Sequence, residues 1–184
     1  MRARILRFAE YPVIPWKNGL GVSREIVAGT SEEQQFGWRL SMADITTDAA
    51  FSEYRGIDRI LAVVEGEIEL RIEDAANQLR AGDPPVAFSG DVSASAKPVG
   101  EPAVDLNLMV SRESDFTGRI EPLTAGRYIV ERDVVIVSLI DQLRVRAGAQ
   151  YPLGRLDSVH IEGSGAVDVM GGPGRVIAYG AFVS

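Results

Sequence analysis

Apolar residues along the chain fall in short runs, many alternating with polar ones, and glycines and prolines interrupt them throughout. A period of two sends successive side chains to opposite faces of an extended strand, so the pattern predicts an all-β chain with little helix. In residues 36–45, Trp38, Leu40 and Met42 share a core face, while Arg39, Ser41 and Ala43 share the other. Residues 60–64 read as a buried strand, Glu65-Gly66 as a hairpin turn, and 67–73 as the return strand with one wet and one dry face. Residues 74–80 are polar and turn-like, and 81–85 form a rigid bend before 86–91. In 104–110, Leu106 and Leu108 face one way and Asp105, Asn107 and Met109 the other. A short helical turn is expected in 111–118, and with it a boundary between halves 1–118 and 119–184 that share one fold unit and are free to exchange strands. Further strands are predicted at 127–130, 134–140, 143–146, 156–161, 166–170 and 175–182; the second is too apolar for a sheet edge.

The stretch from Pro15 to Ile26 breaks this rhythm, mixing an aromatic, two cations, an amide and a carboxylate around Gly19 and Gly21. Taken locally, Asn18-Gly19 turns a hairpin, because that pair tolerates the positive φ of a tight turn, with Trp16 as an apolar plug. Taken with the polar faces of the later strands, Lys17, Asn18, Arg24 and Glu25 form a rim facing something small and polar. A carboxylate and an amide two residues apart, as in Asp105 and Asn107, point into the same space. They are either an exposed face or the wall of a polar pocket.

Composition narrows the chemistry. The 184 residues suffice for one compact unit, and 46% hydrophobic with 24% charged residues is ordinary for a globular protein. A net charge of -7 disfavours nucleic acid as a partner. With no cysteine there is no disulfide, no thiolate chemistry and no sulfur-ligated metal. His160 stands alone, and is better read as a surface or satisfied side chain than as a ligand. No apolar run reaches membrane-spanning length, so a cytoplasmic protein with no membrane partner is expected. Sandwich edges leave room for a homodimer.

Two spacings resemble the cupin barrel. Gly66 stands at the hairpin glycine of the first cupin motif, which puts Arg59 at the usual metal-binding glutamate and Ser52 to Arg55 at the histidine places. Gly82, Phe88, Gly90 and Ser93 occupy the second motif, with phenylalanine for proline and serine for histidine. The layout is that of a cupin without its metal ligands. An arginine in place of a ligating carboxylate inverts the preference of the pocket from cation to anion, and a buried Arg59 needs a partner such as Asp105 or Glu25.

The ordered series Pro15-Trp16-Lys17-Asn18-Gly19, Ser23-Arg24-Glu25-Ile26, Phe36-Gly37-Trp38-Arg39-Leu40-Ser41, Phe51-Ser52, Gly56-Ile57-Asp58-Arg59 and Asp105-Leu106-Asn107-Leu108-Met109 resembles the HutD/Ves family. The resemblance is strong over the first two thirds. Departures are Leu20 for a third glycine, Ser23 for threonine and Leu106 for an aromatic; Leu20 would narrow the rim or redirect its loop. The resemblance implies a bicupin, two β-barrel or sandwich halves of the RmlC-like cupin type in one chain. It also implies a link to restraint of histidine degradation through a small metabolite such as urocanate or a formylated glutamate, with no established catalysis.

Carried onto this chain, the family's shared positions are Trp16, Lys17, Asn18, Arg24, Glu25, Arg39, Ser41, Arg59, Asp105 and Asn107. Arg59 and Arg39 would take a ligand carboxylate, and Lys17 and Asn18 a second polar end. Trp16 would cover an unsaturated or imidazole group, and Glu25 and Asp105 would orient the cations. The expectation is a metal- and cofactor-free protein that binds a small anionic metabolite in a regulatory or buffering role, the second half being mainly structural. The rival is an isomerase or hydrolase using Glu25 or Asp105 as general base beside Lys17 and Arg59. A third reading is a structural or protein-binding sandwich.

Overall fold

In a computed structural model that describes residues 1–29, 37–172, 176 and 178–184, the chain is built from strands. They are β1 (Arg2–Leu6), β2 (Val13–Pro15), β3 (Val22–Gly29), β4 (Trp38–Ile45), β5 (Ala49–Ala50), β6 (Ile57–Glu65), β7 (Glu67–Ile72), β8 (Ala75–Arg80), β9 (Val86–Ser89) and β10 (Ala94–Pro98). There follow β11 (Ala103–Ser111), β12 (Gly118–Leu123), β13 (Gly126–Val130), β14 (Asp133–Ser138), β15 (Leu143–Ala147), β16 (Ala149–Leu153), β17 (Ser158–Glu162), β18 (Gly165–Met170) and β19 (Ala178–Val183). The described residues contain no α-helix, only one 3-10 turn at Phe8–Glu10. Phe36 and Arg175, at which two of the predicted strands begin, lie outside the described residues.

Two compact units result, Pro12–Phe116 and Met1–Tyr11 with Thr117–Ser184. The first holds a six-stranded sheet, ordered β2-β3-β4-β11-β6-β9, and a four-stranded sheet, β5-β10-β7-β8. Ala43, Ile45, Leu61 and Val63 of the larger sheet share one core with Ile68, Leu70, Ala94 and Ala96 of the smaller. The opposite face of the larger sheet is buried as well, with Leu40, Met42, Leu106 and Leu108 fully covered. The alternation in β4 and β11 is therefore as predicted, and the second face is covered too, with the polar Ser41, Asp105 and Asn107 buried on it.

Three local predictions change. Glu65-Gly66 is a corner rather than a hairpin, because β6 pairs with β11 and β9 while β7 pairs with β10 and β8. Gly66, at φ 73°, carries the chain from one sheet to the other, where a Cβ would sit 3.0 Å from the Pro102 carbonyl oxygen and from the Ala103 side chain. The true hairpin follows β7. Residues 75–80, read as turn-like, form β8, an exposed edge strand whose polarity hides its alternation. Residues 112–115 form a turn, with the Ser114 N–H donating to the Ser111 carbonyl, and not a helix.

The second unit has sheets β1-β17-β14-β19-β12 and β13-β18-β15-β16. Residues 1–11, kept with the first half in the sequence reading, belong here through β1, which runs antiparallel to β17 from Arg2 opposite Glu162 to Leu6 opposite Ser158. β14 is central, as its apolar sequence requires. His160 is buried, its Nε2 3.7 Å from Asp133 Oδ2. In both units the sheets are open and do not close into barrels.

Candidate functional site

Strand register in the first unit lays out the site as a grid. β11 pairs with β4 on one side and β6 on the other, so Ala43, Asp105 and Val63 form one row, Ser41, Asn107 and Leu61 the next, and Arg39, Met109 and Arg59 the third. β3 extends the first two rows with Ser23 and Glu25, and β9 extends the third with Phe88. The inner face thus passes from apolar core at Ala43 and Val63 to a polar floor within two residues. Register slips at Glu25/Val27 and at Val104/Asp105 lie at the edges of the polar run, where bulges re-aim side chains.

The third wall comes from the loop after β5. The Phe51 N–H donates to the Ala94 carbonyl at 2.8 Å, and the Tyr54 N–H to the Gly90 carbonyl at 2.8 Å. These bonds set Phe51, Ser52 and Tyr54 against the sheet and enclose a cavity of about 340 Å³, opening included. Trp16, Ser23, Arg39, Ser41, Ala43, Arg59, Asp105, Asn107 and Met109 complete the lining. An adjoining recess of about 240 Å³ shares Trp16, Ser23, Arg39, Ser41 and Tyr54 and adds Ile14, Pro15 and Glu25.

Arg59 is only 5% exposed. Its guanidinium lies 4.8 Å from the Phe51 ring centre and 5.1 Å from that of Phe88, and donates one long bond, 3.5 Å, to the Ser52 carbonyl. Its Nε is buried with no hydrogen-bond partner. Burial pulls its pKa down to about 10, with Arg39 adding to the drop and Asp105 and Tyr54 opposing it, so it stays a cation at neutral pH. Asp105 is 1% exposed. Its Oδ1 accepts the Ala43 N–H at 3.0 Å, while Oδ2 has no partner, and neither has Asn107 Oδ1. Burial pushes the Asp105 carboxyl up to about 7 against the opposing pull of Arg59 and the Ala43 N–H. Arg39 donates to the Met109 sulfur at 3.4 Å and sits 5.7 Å from the Tyr54 ring.

The ten residues singled out from sequence separate into three groups. Trp16, Arg39, Ser41, Arg59, Asp105 and Asn107 line the cavity, and Glu25 lines the recess beside it. Lys17 is exposed, with Nζ over the Tyr54 ring, 4.3 Å from its centre. Asn18 and Arg24 are engaged elsewhere. The Asn18 amide donates to the Ala50 carbonyl at 2.8 Å and its Oδ1 accepts the Leu20 N–H, while Arg24 pairs with Asp44 at 2.5 Å.

The opening stretch is a hairpin and a cavity wall together. Gly19, at φ 72°, donates its N–H to the Trp16 carbonyl, and the Trp16 N–H donates to the Gly21 carbonyl. Trp16 turns inward, donates to Ser23 Oγ at 2.8 Å and packs edge-on to Phe51 at 5.7 Å. Leu20 is 58% exposed and takes no part in the lining, so it leaves the cavity as wide as a glycine would.

Phe51, Ser52, Tyr54, Ser23 and Met109 also line the cavity but were not among the ten. Strand parity places Met109 on the face of Asn107 and would place Ser23 on that of Glu25; the loop residues carry no periodic signal, although the histidine places of the cupin spacing, Ser52 to Arg55, fall on them. As for the metal common in cupins, Arg59 stands at the glutamate place, and no three His, Asp or Glu side chains among the described residues could hold an ion together. The donor set does not fit a cation.

Two open sheets packed on a shared apolar core, with a polar cavity on the inner face of the larger one, define a cupin-like fold. A Cupin 2 conserved barrel domain protein from Leptotrichia buccalis matches 98% of this chain and 96% of its own with TM-score 0.62 at 11% identity, a likeness of fold alone. The chain belongs to the HutD family, whose model matches residues 8–177. An uncharacterized 21.2 kDa protein in the hutC 3' region of Pseudomonas putida is 31% identical over 167 residues, 88% of this chain and 87% of that one. The structure of HutD from Pseudomonas fluorescens SBW25 superposes with TM-score 0.85 at 27% identity, covering 100% of this chain and 98% of the other.

Proposed function

We propose that the cavity binds a small carboxylate-bearing metabolite, of the urocanate or N-formylglutamate type, and that the protein acts in the cytoplasm as a regulatory or buffering component of histidine utilisation. The observation that carries this reading is Arg59: a buried cation flanked by two aromatic rings, with an unpartnered Nε and no salt bridge among the described residues. Such a group lacks an anion, and a carboxylate meets a guanidinium through two parallel bonds. The relative's place beside hutC supports the metabolic setting. We read the two units as the two halves of a bicupin, with the ligand held by the first.

Isothermal titration with urocanate and with N-formylglutamate, run on the native chain and on Arg59→Met, tests this. Saturable binding should weaken roughly 10- to 100-fold in the variant, the worth of a charge-assisted hydrogen bond. Undiminished binding to Arg59→Met rejects the site, and silence toward every carboxylate leaves a structural sandwich. One observation favours a second reading: Asp105, titrating at about 7 with Oδ2 free in the cavity, is suited to general acid-base work. Product formation during the titration, abolished in Asp105→Asn, would make the protein an isomerase or hydrolase.

A further inference from the structure

The cavity is polarised. At the end that abuts the apolar core, β11 presents Asp105 Oδ2 and Asn107 Oδ1, two residues apart on one face and both buried without a hydrogen-bond partner. The unpartnered donor, Arg59 Nε, comes from β6 in the row opposite Met109, four residues along β11 from Asp105 and so about 13 Å away at the backbone. A carboxylate ligand satisfies Arg59 and leaves both acceptors without a donor. The two acceptors need donors, and no protein group among the described residues supplies one.

We propose that Asp105 and Asn107 form an acceptor pair that selects carboxylates carrying an N–H group, bound with the N–H toward β11 and the carboxylate toward Arg59. This rests on the carboxylate reading above and adds a specificity and an orientation to it. A site built to receive a hydrogen bond rejects an analogue that lacks the donor, because the buried acceptor is then stranded. Protonation of Asp105 removes one of the two acceptors. Its pKa of about 7 makes selection depend on pH near neutrality. Charged and titratable groups around it are Arg59 on β6, Arg39 and Asp44 on β4, Glu25 on β3 and Tyr54 in the loop after β5.

The test uses two flat acrylates that differ at one ring position, 3-(pyrrol-2-yl)acrylate with an N–H and 3-(2-furyl)acrylate with an oxygen. Neither changes protonation between pH 6 and 8. Titrated calorimetrically into the full-length protein at pH 8, the pyrrole should bind at least about tenfold more tightly. Its affinity should fall as pH drops to 6 and Asp105 takes up a proton, while that of the furan should not. Asp105→Asn keeps the shape and the acceptor for Ala43 but turns an amide N–H₂ toward the ligand. It should erase the pyrrole's advantage and the pH slope together. Asn107→Leu, a second variant independent of the first, should reduce the advantage without removing the slope. Equal binding of the two acrylates, tighter binding of the furan, or a preference unchanged in Asp105→Asn overturns the inference while leaving the carboxylate reading intact. If neither acrylate binds, both fall.

Discussion

Arg59 and Asp105 are ionisable groups held in the interior without touching each other, and each should leave a mark on stability. A buried ion with no close partner costs several kcal/mol of desolvation, so an apolar side chain of similar length is tolerated there or preferred. Arg59→Met should therefore melt at the same temperature as the native chain or higher, even as it loses ligand. A melting temperature several degrees lower would show that the guanidinium, resting on Phe51 and Phe88, is a structural strut. For Asp105 the folded state titrates at about 7 and the unfolded chain near 4. Between those values the native protein holds a proton that the unfolded one has lost, so stability declines as pH rises from about 4 to about 7 and levels off above. Asp105→Asn does not titrate. Relative to the native chain it should gain about 2 kcal/mol between pH 5 and pH 8 in urea denaturation, and a constant difference would mean that the carboxyl is already ionised at pH 5. These two residues were legible in the sequence because strand parity and a motif position marked them. That they fail to pair was not, since parity says which face a side chain shares and nothing about reach.

Elements carry the site as much as residues do. The alternation in β4 and β11 could be read directly, because each strand has a fully apolar set, Leu40 and Met42 or Leu106 and Leu108, against which the polar set stands out. The loop wall could not. Phe51, Ser52 and Tyr54 follow a two-residue strand, and what holds them lies far along the chain: Ala94 accepts the Phe51 N–H, and Gly90 bonds to Tyr54 and to Ile57. Gly66 misled for a related reason: a positive-φ glycine between two apolar strands looks the same whether the chain doubles back or changes sheet. The clamp at Gly90 is testable. A Cβ there would lie 2.6 Å from the Tyr54 carbonyl oxygen and 2.9 Å from that of Ile57, both backbone atoms that cannot swing aside. Gly90→Ala should cost about 1–3 kcal/mol of stability and, by pushing the loop outward, weaken carboxylate binding well beyond its effect on the folded fraction. Native affinity with reduced stability would show that the loop position does not set the cavity.

At the scale of the whole molecule, the all-β class followed from glycines and prolines spaced among short apolar runs, while the partnership of the first strand did not. β1 finds β17 more than 150 residues away, and no local pattern specifies so distant a pairing. Its alternation does show which side faces inward: Ala3 and Ile5 pack against the core formed by Val159, Ile161 and Val134. Arg7 adds an ion pair to Asp157 at 2.6 Å, with 43% of the arginine side chain exposed. The two contributions differ in size, and truncation separates them. An exposed pair is worth at most about 1 kcal/mol, so Arg7→Ala should lower the melting temperature by only a few degrees. Removing residues 1–7 strips a five-residue ladder and the burial of Ile5, about 2–3 kcal/mol, which for a chain of this length is a drop of roughly 5–10 °C. It also turns β17 into an unpaired edge with Val159 and Ile161 behind it, the kind of edge that recruits another chain. Size-exclusion chromatography of the truncated protein should show concentration-dependent self-association that Arg7→Ala does not. A truncated chain that stays monomeric and melts within a degree or two of the native one would mean that β1 decorates the sheet without holding it.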